Sequence, residues 1–116
     1  MRVLVLEDEP LLAMLLEQNI TELGYSLAGS AATVSQALAL LEEREIDCAL
    51  LDWSLGDNTT SLPVARRLRQ EGRPYCFLSG HSSLEASPLI DDAPLLTKPF
   101  RLDDLENALK GMAGLA

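Results

Sequence analysis

Glu7, Asp8, Asp52, Ser79 and Lys98 are the residues whose chemistries can combine in this chain: three carboxylates, a hydroxyl and an ammonium, each close behind a short apolar run. Carboxylates crowded together repel one another unless a cation lies among them, and oxygen-only ligation at a site open to phosphate is the preference of Mg²⁺. A divalent ion held by Asp8 and Asp52, with Glu7 acting directly or through water, relieves that repulsion. Asp52 can then act as a nucleophile towards phosphorus. The cation, Lys98 and the Ser79 hydroxyl each take one phosphoryl oxygen. Each residue taken alone reads as an ordinary polar group past a strand, so the chemistry rests on their joint placement.

That placement requires a particular scaffold. Apolar runs recur at Val3 to Leu6, Ser26 to Ala31, Cys48 to Leu51, Tyr75 to Leu78 and Leu95 to Thr97. The first, third and fourth are nearly continuous hydrophobic, as strands buried on both faces of a parallel sheet are. Segments of helical period alternate with them. Leu12, Leu15, Leu16, Ile20 and Leu23 form one apolar stripe, stopped by Gly24, and Thr33 with Gln36 resembles a capping box opening a helix through Leu38 and Leu41. Pro63 suits a first helical turn. Val64 and Leu68 face inward there, Arg66, Arg67, Arg69 and Gln70 outward, and Gly72 ends the helix. Leu102, Leu105 and Leu109 predict a last helix stopped at Gly111. Pro88 and Pro94 bracket a segment, Ser82 to Pro94, with few apolar anchors, which predicts a short or irregular fourth helix in the order. Alternation of this kind implies an α/β fold: a doubly wound, five-stranded parallel sheet covered on both faces. In such sheets ligands bind beyond the carboxyl ends of the strands, where all the residues named above fall.

Composition narrows the function. The chain has 116 residues, enough for a single domain over 1–116 with a real core, and 47% of them are hydrophobic. Eighteen Asp and Glu against nine Lys and Arg give a formal charge of −9, which excludes direct binding of nucleic acid or of an anionic membrane by this domain. A protein or a cation is the expected partner. No apolar stretch reaches the length of a bilayer span or of a signal-peptide core, so a cytoplasmic location is expected. Cys48 and Cys76 lie in apolar runs without metal-site spacing and read as buried free thiols.

The segments VLVLEDEP, CALLDWSLGD, FLSG and LLTKPF, in this order and spacing, resemble those of a response-regulator receiver domain of bacterial two-component signalling, over essentially the whole chain. The resemblance implies a flavodoxin-like sheet of strand order 2-1-3-4-5 and assigns roles. Glu7 and Asp8 match the acidic metal pair, Asp52 the phosphoacceptor, Ser79 the hydroxyl that bonds the phosphoryl group and Lys98 the phosphate-binding lysine. Ser54 matches the position whose backbone carbonyl ligates the metal, and Lys98-Pro99 a peptide bond that is usually cis. Leu95 stands where many receivers carry a switch Tyr or Phe, and the short spacing from Ser79 to Lys98 agrees with a reduced fourth helix. The FLSG and PFRLDDL segments resemble a subgroup of receivers, many of which stand alone.

The function so implied is Mg²⁺-dependent acceptance of a phosphoryl group from a sensor histidine kinase or a histidine phosphotransfer protein. A shift in protein-protein interactions with a downstream target follows, in a monomer or weak homodimer that is no enzyme beyond its own phosphorylation and dephosphorylation. The rivals are an aspartyl-phosphate phosphatase or mutase, which wants a second acid where Ser54 stands, and a pseudo-receiver serving as an interaction module. With no aromatic at Leu95, the response is expected in the segment Ser82 to Pro94. His81 reads as a loop histidine near the site, with tuning of dephosphorylation as its functional alternative. Trp53 reads as packing against a loop or gating the site.

Overall fold

The computed structural model describes residues 1–80 and 93–115. His81 and most of the Ser82 to Pro94 segment, including the expected fourth helix, lie outside the described residues. Five strands, β1 (Arg2–Leu6), β2 (Ser26–Ala31), β3 (Cys48–Asp52), β4 (Tyr75–Ser79) and β5 (Leu95–Thr97), form one sheet in the order β2-β1-β3-β4-β5. Every pairing in it is parallel. Among the described residues the helices are α1 (Pro10–Glu22), α2 (Val34–Glu43), α3 (Leu62–Gln70) and α4 (Leu102–Leu115).

Strand alternation divides the core in two. Leu4, Leu6, Ala49, Leu51, Tyr75 and Phe77 face one side, where Ala37 and Leu41 of α2 and Val64, Ala65 and Leu68 of α3 close over them. Val3, Val5, Cys48, Leu50, Cys76 and Leu78 face the other, under Leu16 and Ile20 of α1 and Leu105, Leu109 and Met112 of α4. Side chains one residue apart thus serve opposite layers, which is why β3 and β4 stay apolar or aromatic until their last residues, Asp52 and Ser79. Burial pushes the Cys48 and Cys76 thiols up to about 12, as inert core groups require.

Local signals explain the helix ends. Thr33 Oγ1 accepts from Gln36 N at 3.2 Å, and Gln36 Oε1 accepts from Ala32 N at 2.8 Å, a variant of the expected capping box displaced by one residue on its return arm. Gly24 and Gly72 take φ of +89° and +70° just beyond α1 and α3, the left-handed conformation that lets the chain leave a helix. Among the arginines of α3, Arg67 does more than line a solvated face. Arg67 pairs with Glu71 at 2.7 Å and reaches Glu42 of α2 at 3.6 Å.

Three expectations are corrected. α4 does not stop at Gly111 but runs to Leu115, because Met112 is fully buried and its burial outweighs the roughly 1 kcal/mol that a mid-helix glycine costs. Leu102, expected on the buried stripe of α4, is 45% exposed; Leu105, Leu109 and Met112 form the stripe instead. In α1 the inward residues are Ala13, Leu16 and Ile20, while Leu15 is half exposed. The edge strand β2 carries a bulge: Val3 pairs with Leu27 but Leu4 with Gly29, leaving Ala28 as the extra residue. Ala28 O accepts from Arg44 Nη1 at 2.6 Å.

Candidate functional site

The carboxyl ends of β1, β3, β4 and β5 bring the expected residues to one edge. Glu7 follows β1 directly and its N–H donates to Ala31 O at 2.9 Å, which holds it at the level of the sheet. Asp52 is the last residue of β3, paired with Leu78, so Ser79 stands one step further along the neighbouring strand. Strands β3 and β4 are each one residue longer than their apolar runs, since the polar residue at the end still completes the ladder. Ser79 pairs with Thr97, and Lys98 N donates to Ser79 O at 2.6 Å, which locks the lysine's backbone to β4. The Lys98-Pro99 peptide bond is cis.

Side chains converge accordingly. Glu7, Asp8 and Asp52 each offer a carboxylate oxygen within 4.8 Å of the others. Lys98 Nζ donates to Asp52 Oδ1 at 3.1 Å and lies 3.5 Å from Glu7 Oε2. Glu7 and Asp52 are buried, whereas Asp8 is exposed. Burial pushes the Glu7 carboxyl up to about 7, helped by its hydrogen bond with Asp52 and by that residue's charge, against the pull of Lys98. Burial raises Asp52 as well, with Glu7 and Lys98 opposing. Burial works against the Lys98 ammonium, but the hydrogen bond and charge of Asp52, with Glu7 behind them, leave it raised and firmly protonated.

The donor set fits a small hard cation. Among the described residues three carboxylates share one lysine, leaving excess negative charge, and Glu7 Oε2, buried with Lys98 Nζ 3.5 Å away, has no hydrogen-bond partner, so that a metal-bound water or the ion itself would complete it. Ser54, exposed, follows Asp52 into the β3–α3 loop and forms an isolated bridge with Thr60.

Two features escaped the sequence reading. Gly56, Asp57 and Asn58 take φ of +82°, +49° and +59°, a left-handed turn that returns the loop so that Thr59 N donates to Gly56 O at 2.8 Å. A Cβ on Gly56 would stand 3.8 Å from Asp8 Oδ2, so this turn passes beside the acidic cluster. The Gly-Asp-Asn composition was a legible turn signal. The second is a surface: Leu11, Met14 and Leu15 of α1, 77%, 64% and 50% exposed, form an apolar patch on the helix that begins two residues after Asp8. The Trp53 ring meets that of Phe77 edge-on, 5.6 Å away at 82°.

The five-stranded doubly wound sheet gathers an acidic cluster, a serine and a lysine at its carboxyl edge, an α/β module with its candidate site beyond the strand ends. The response regulator receiver domain family matches residues 3–110, and the chain belongs to that family. It is similar to the transcriptional regulatory protein PdtaR of Mycobacterium tuberculosis, 29% identical over 116 residues covering 94% of this chain and 55% of that protein. The chain spans about half the length of the curated relatives it matches. Among solved structures, SdrG from Sphingomonas melonis Fr1 is 38% identical, covering 97% of this chain and 95% of that one, with a TM-score of 0.83. The response regulator TrrA from Thermotoga maritima, solved in complex with Mg²⁺-BeF, is 25% identical with a TM-score of 0.83, covering 96% of this chain and 97% of that one.

Proposed function

We propose that this domain accepts a phosphoryl group on Asp52 in a Mg²⁺-dependent reaction with the phosphohistidine of a sensor kinase or phosphotransfer protein, and so switches its contacts with a downstream protein. The observation that carries the reading is the Asp52 carboxylate, buried beside two further acids and bonded to Lys98 at 3.1 Å. Asp8 and Asp52, with Glu7 and the Ser54 backbone carbonyl, would hold the ion. Bound there, Mg²⁺ supplies charge neutralisation for phosphoryl oxygens that would otherwise be repelled by the carboxylates. A carboxylate oxygen of Asp52 attacks phosphorus, the donor's N–P bond breaks and its imidazole leaves. Lys98 then shifts part of its bonding from Asp52 to a phosphoryl oxygen, and the Ser79 hydroxyl donates to another.

The exposed Leu11–Met14–Leu15 surface supports a helical donor as the partner in that transfer. It lies on the helix that leaves the acidic cluster, and α1 carries Glu17 and Glu22 but no lysine or arginine. A second copy would set acid against acid there; a donor helix with apolar and basic residues complements it. Incubation with Mg²⁺ and acetyl phosphate, followed by intact-mass measurement, tests the central claim: one phosphoryl increment is expected on the parent and none on Asp52→Asn. The same increment on that variant would overturn the assignment.

A further inference from the structure

Trp53, the chain's only tryptophan, follows Asp52 without an intervening residue. Its backbone is fixed on two sides: Trp53 N donates to Leu78 O at 2.8 Å, and Trp53 O accepts from Ser61 N at 3.1 Å, where α3 begins. The indole is only half buried and meets the Phe77 ring edge-on. Phe77 in turn meets Tyr75 edge-on, centroids 5.5 Å apart at 74°, and pairs in register with Leu95 of β5. Trp53 and Leu95 are both partly buried residues packed against the cluster that contains Phe77. A continuous line of contacts therefore runs from the residue after Asp52 to the β5 edge.

We propose that Trp53 is the relay of this domain: its contact with Phe77 carries the state of Asp52 to β5, the strand that bears Leu95 and leads into Lys98. The proposal rests on the phosphoacceptor reading of Asp52. Any group that draws Ser79 and Lys98 towards Asp52 displaces the carboxyl ends of β3 and β4 relative to each other; Trp53 directly follows β3 and Phe77 lies on β4, both within two residues of the displaced ends. Edge-to-face ring pairs are directional, so a small relative shift changes the contact where an aliphatic pair would only slide. Leucine at position 95 has no ring to reorient, whereas a partly buried indole has an apolar body and a polar N–H and can move between core and solvent. Trp53 thus acts through Phe77 and touches no phosphoryl oxygen, which makes it a positioning residue rather than a catalytic one.

The test uses the whole chain with Mg²⁺ and beryllium fluoride. The fluorine resonance of the bound complex reports occupancy of Asp52, the single indole N–H resonance reports Trp53, and amide shifts of Leu95, Leu96 and Thr97 report β5. In the parent all three should respond. In Trp53→Leu and in Phe77→Leu the bound fluorine signal should persist while the β5 shifts fall at least threefold, and Trp53→Tyr should restore them. Full β5 shifts in Trp53→Leu with the fluorine signal present would overturn the relay. Should a variant fail to fold, the parent alone still decides: a bound fluorine signal with an unmoved indole resonance refutes the proposal. No bound fluorine signal in the parent would instead remove the phosphoacceptor reading, and the relay with it.

Discussion

Lys98 Nζ lies 3.1 Å from Asp52 Oδ1, so the cation that would meet an incoming phosphoryl group is already engaged by the carboxylate that would attack it. On the proposed function the lysine would serve two states, offsetting carboxylate repulsion before transfer and phosphoryl charge after it. Lys98→Gln should separate them. Removing the ammonium leaves the acidic cluster more negative, so Mg²⁺ should bind several-fold tighter, followed by Trp53 fluorescence, while phosphorylation by acetyl phosphate slows at least tenfold. Weaker Mg²⁺ binding in the variant would contradict this account.

The buried Glu7 carboxyl, raised from its ordinary 4.5 to about 7, makes the metal-free fold sensitive to pH in an unusual direction. Between those values the folded chain holds a proton that the unfolded chain has released, so stability declines as pH rises through about 7. Asp52, raised by the same burial, acts with the same sign. Asp47, held low by Arg2, contributes stability that is lost only as pH falls through its own lower range, outside this window. Metal-free protein should melt higher near pH 6 than near pH 8 by a few degrees, on the scale expected for about 1 kcal/mol in a domain of this size. Saturating Mg²⁺ should abolish most of the difference, and calorimetry at the two pH values checks both statements.

Replacing Met14 by Lys should leave acetyl-phosphate labelling of Asp52 unchanged within twofold. Transfer from a cognate phosphohistidine donor should fall at least tenfold, because the substitution puts a charge in the middle of the Leu11–Met14–Leu15 surface. Equal loss with both donors would place the effect in the site rather than at the surface.

Met112→Ala tests why α4 continues past Gly111. The side chain is fully buried under the sheet, and its truncation should cost about 2–5 kcal/mol, read as a lower denaturant midpoint with an unchanged slope. Leu102→Ala, at the exposed start of the same helix, should cost well under half of that.

The fold, and the gathering of the candidate residues at one edge, were legible because both rest on strand periodicity. Runs such as Cys48 to Leu51 have only one comfortable place in an α/β domain, and the polar residue that ends each run is thereby set at the same edge as its neighbours. Helix faces were less legible. Leu15 and Leu16 are equally apolar, and only the sheet beneath decides that Leu16 enters the core while Leu15 remains outside; Gly111 is a good stop signal until Met112 beyond it finds a buried seat. Side-chain partners across elements, such as Arg67 with Glu42 or Trp53 with Phe77, depend on helix placement and strand register that no local pattern encodes.

The bulge at Ala28 bears on how this domain avoids its own copies. An open sheet ends in two strands whose outer carbonyls and amides invite another strand, and β2 is one of them. Here the kink breaks the regular spacing that a docking strand would need. The Arg44 guanidinium, already bonded to Ala28 O, sets a charge beside it, and a Cβ at Gly29 would stand 2.9 Å from Leu40 Cδ1, so helix α2 lies close against the same stretch. At the opposite margin β5 is only three residues long. A sheet with a kinked, charge-flanked strand at one margin and a three-residue strand at the other offers a poor template for edge-to-edge pairing with a second copy.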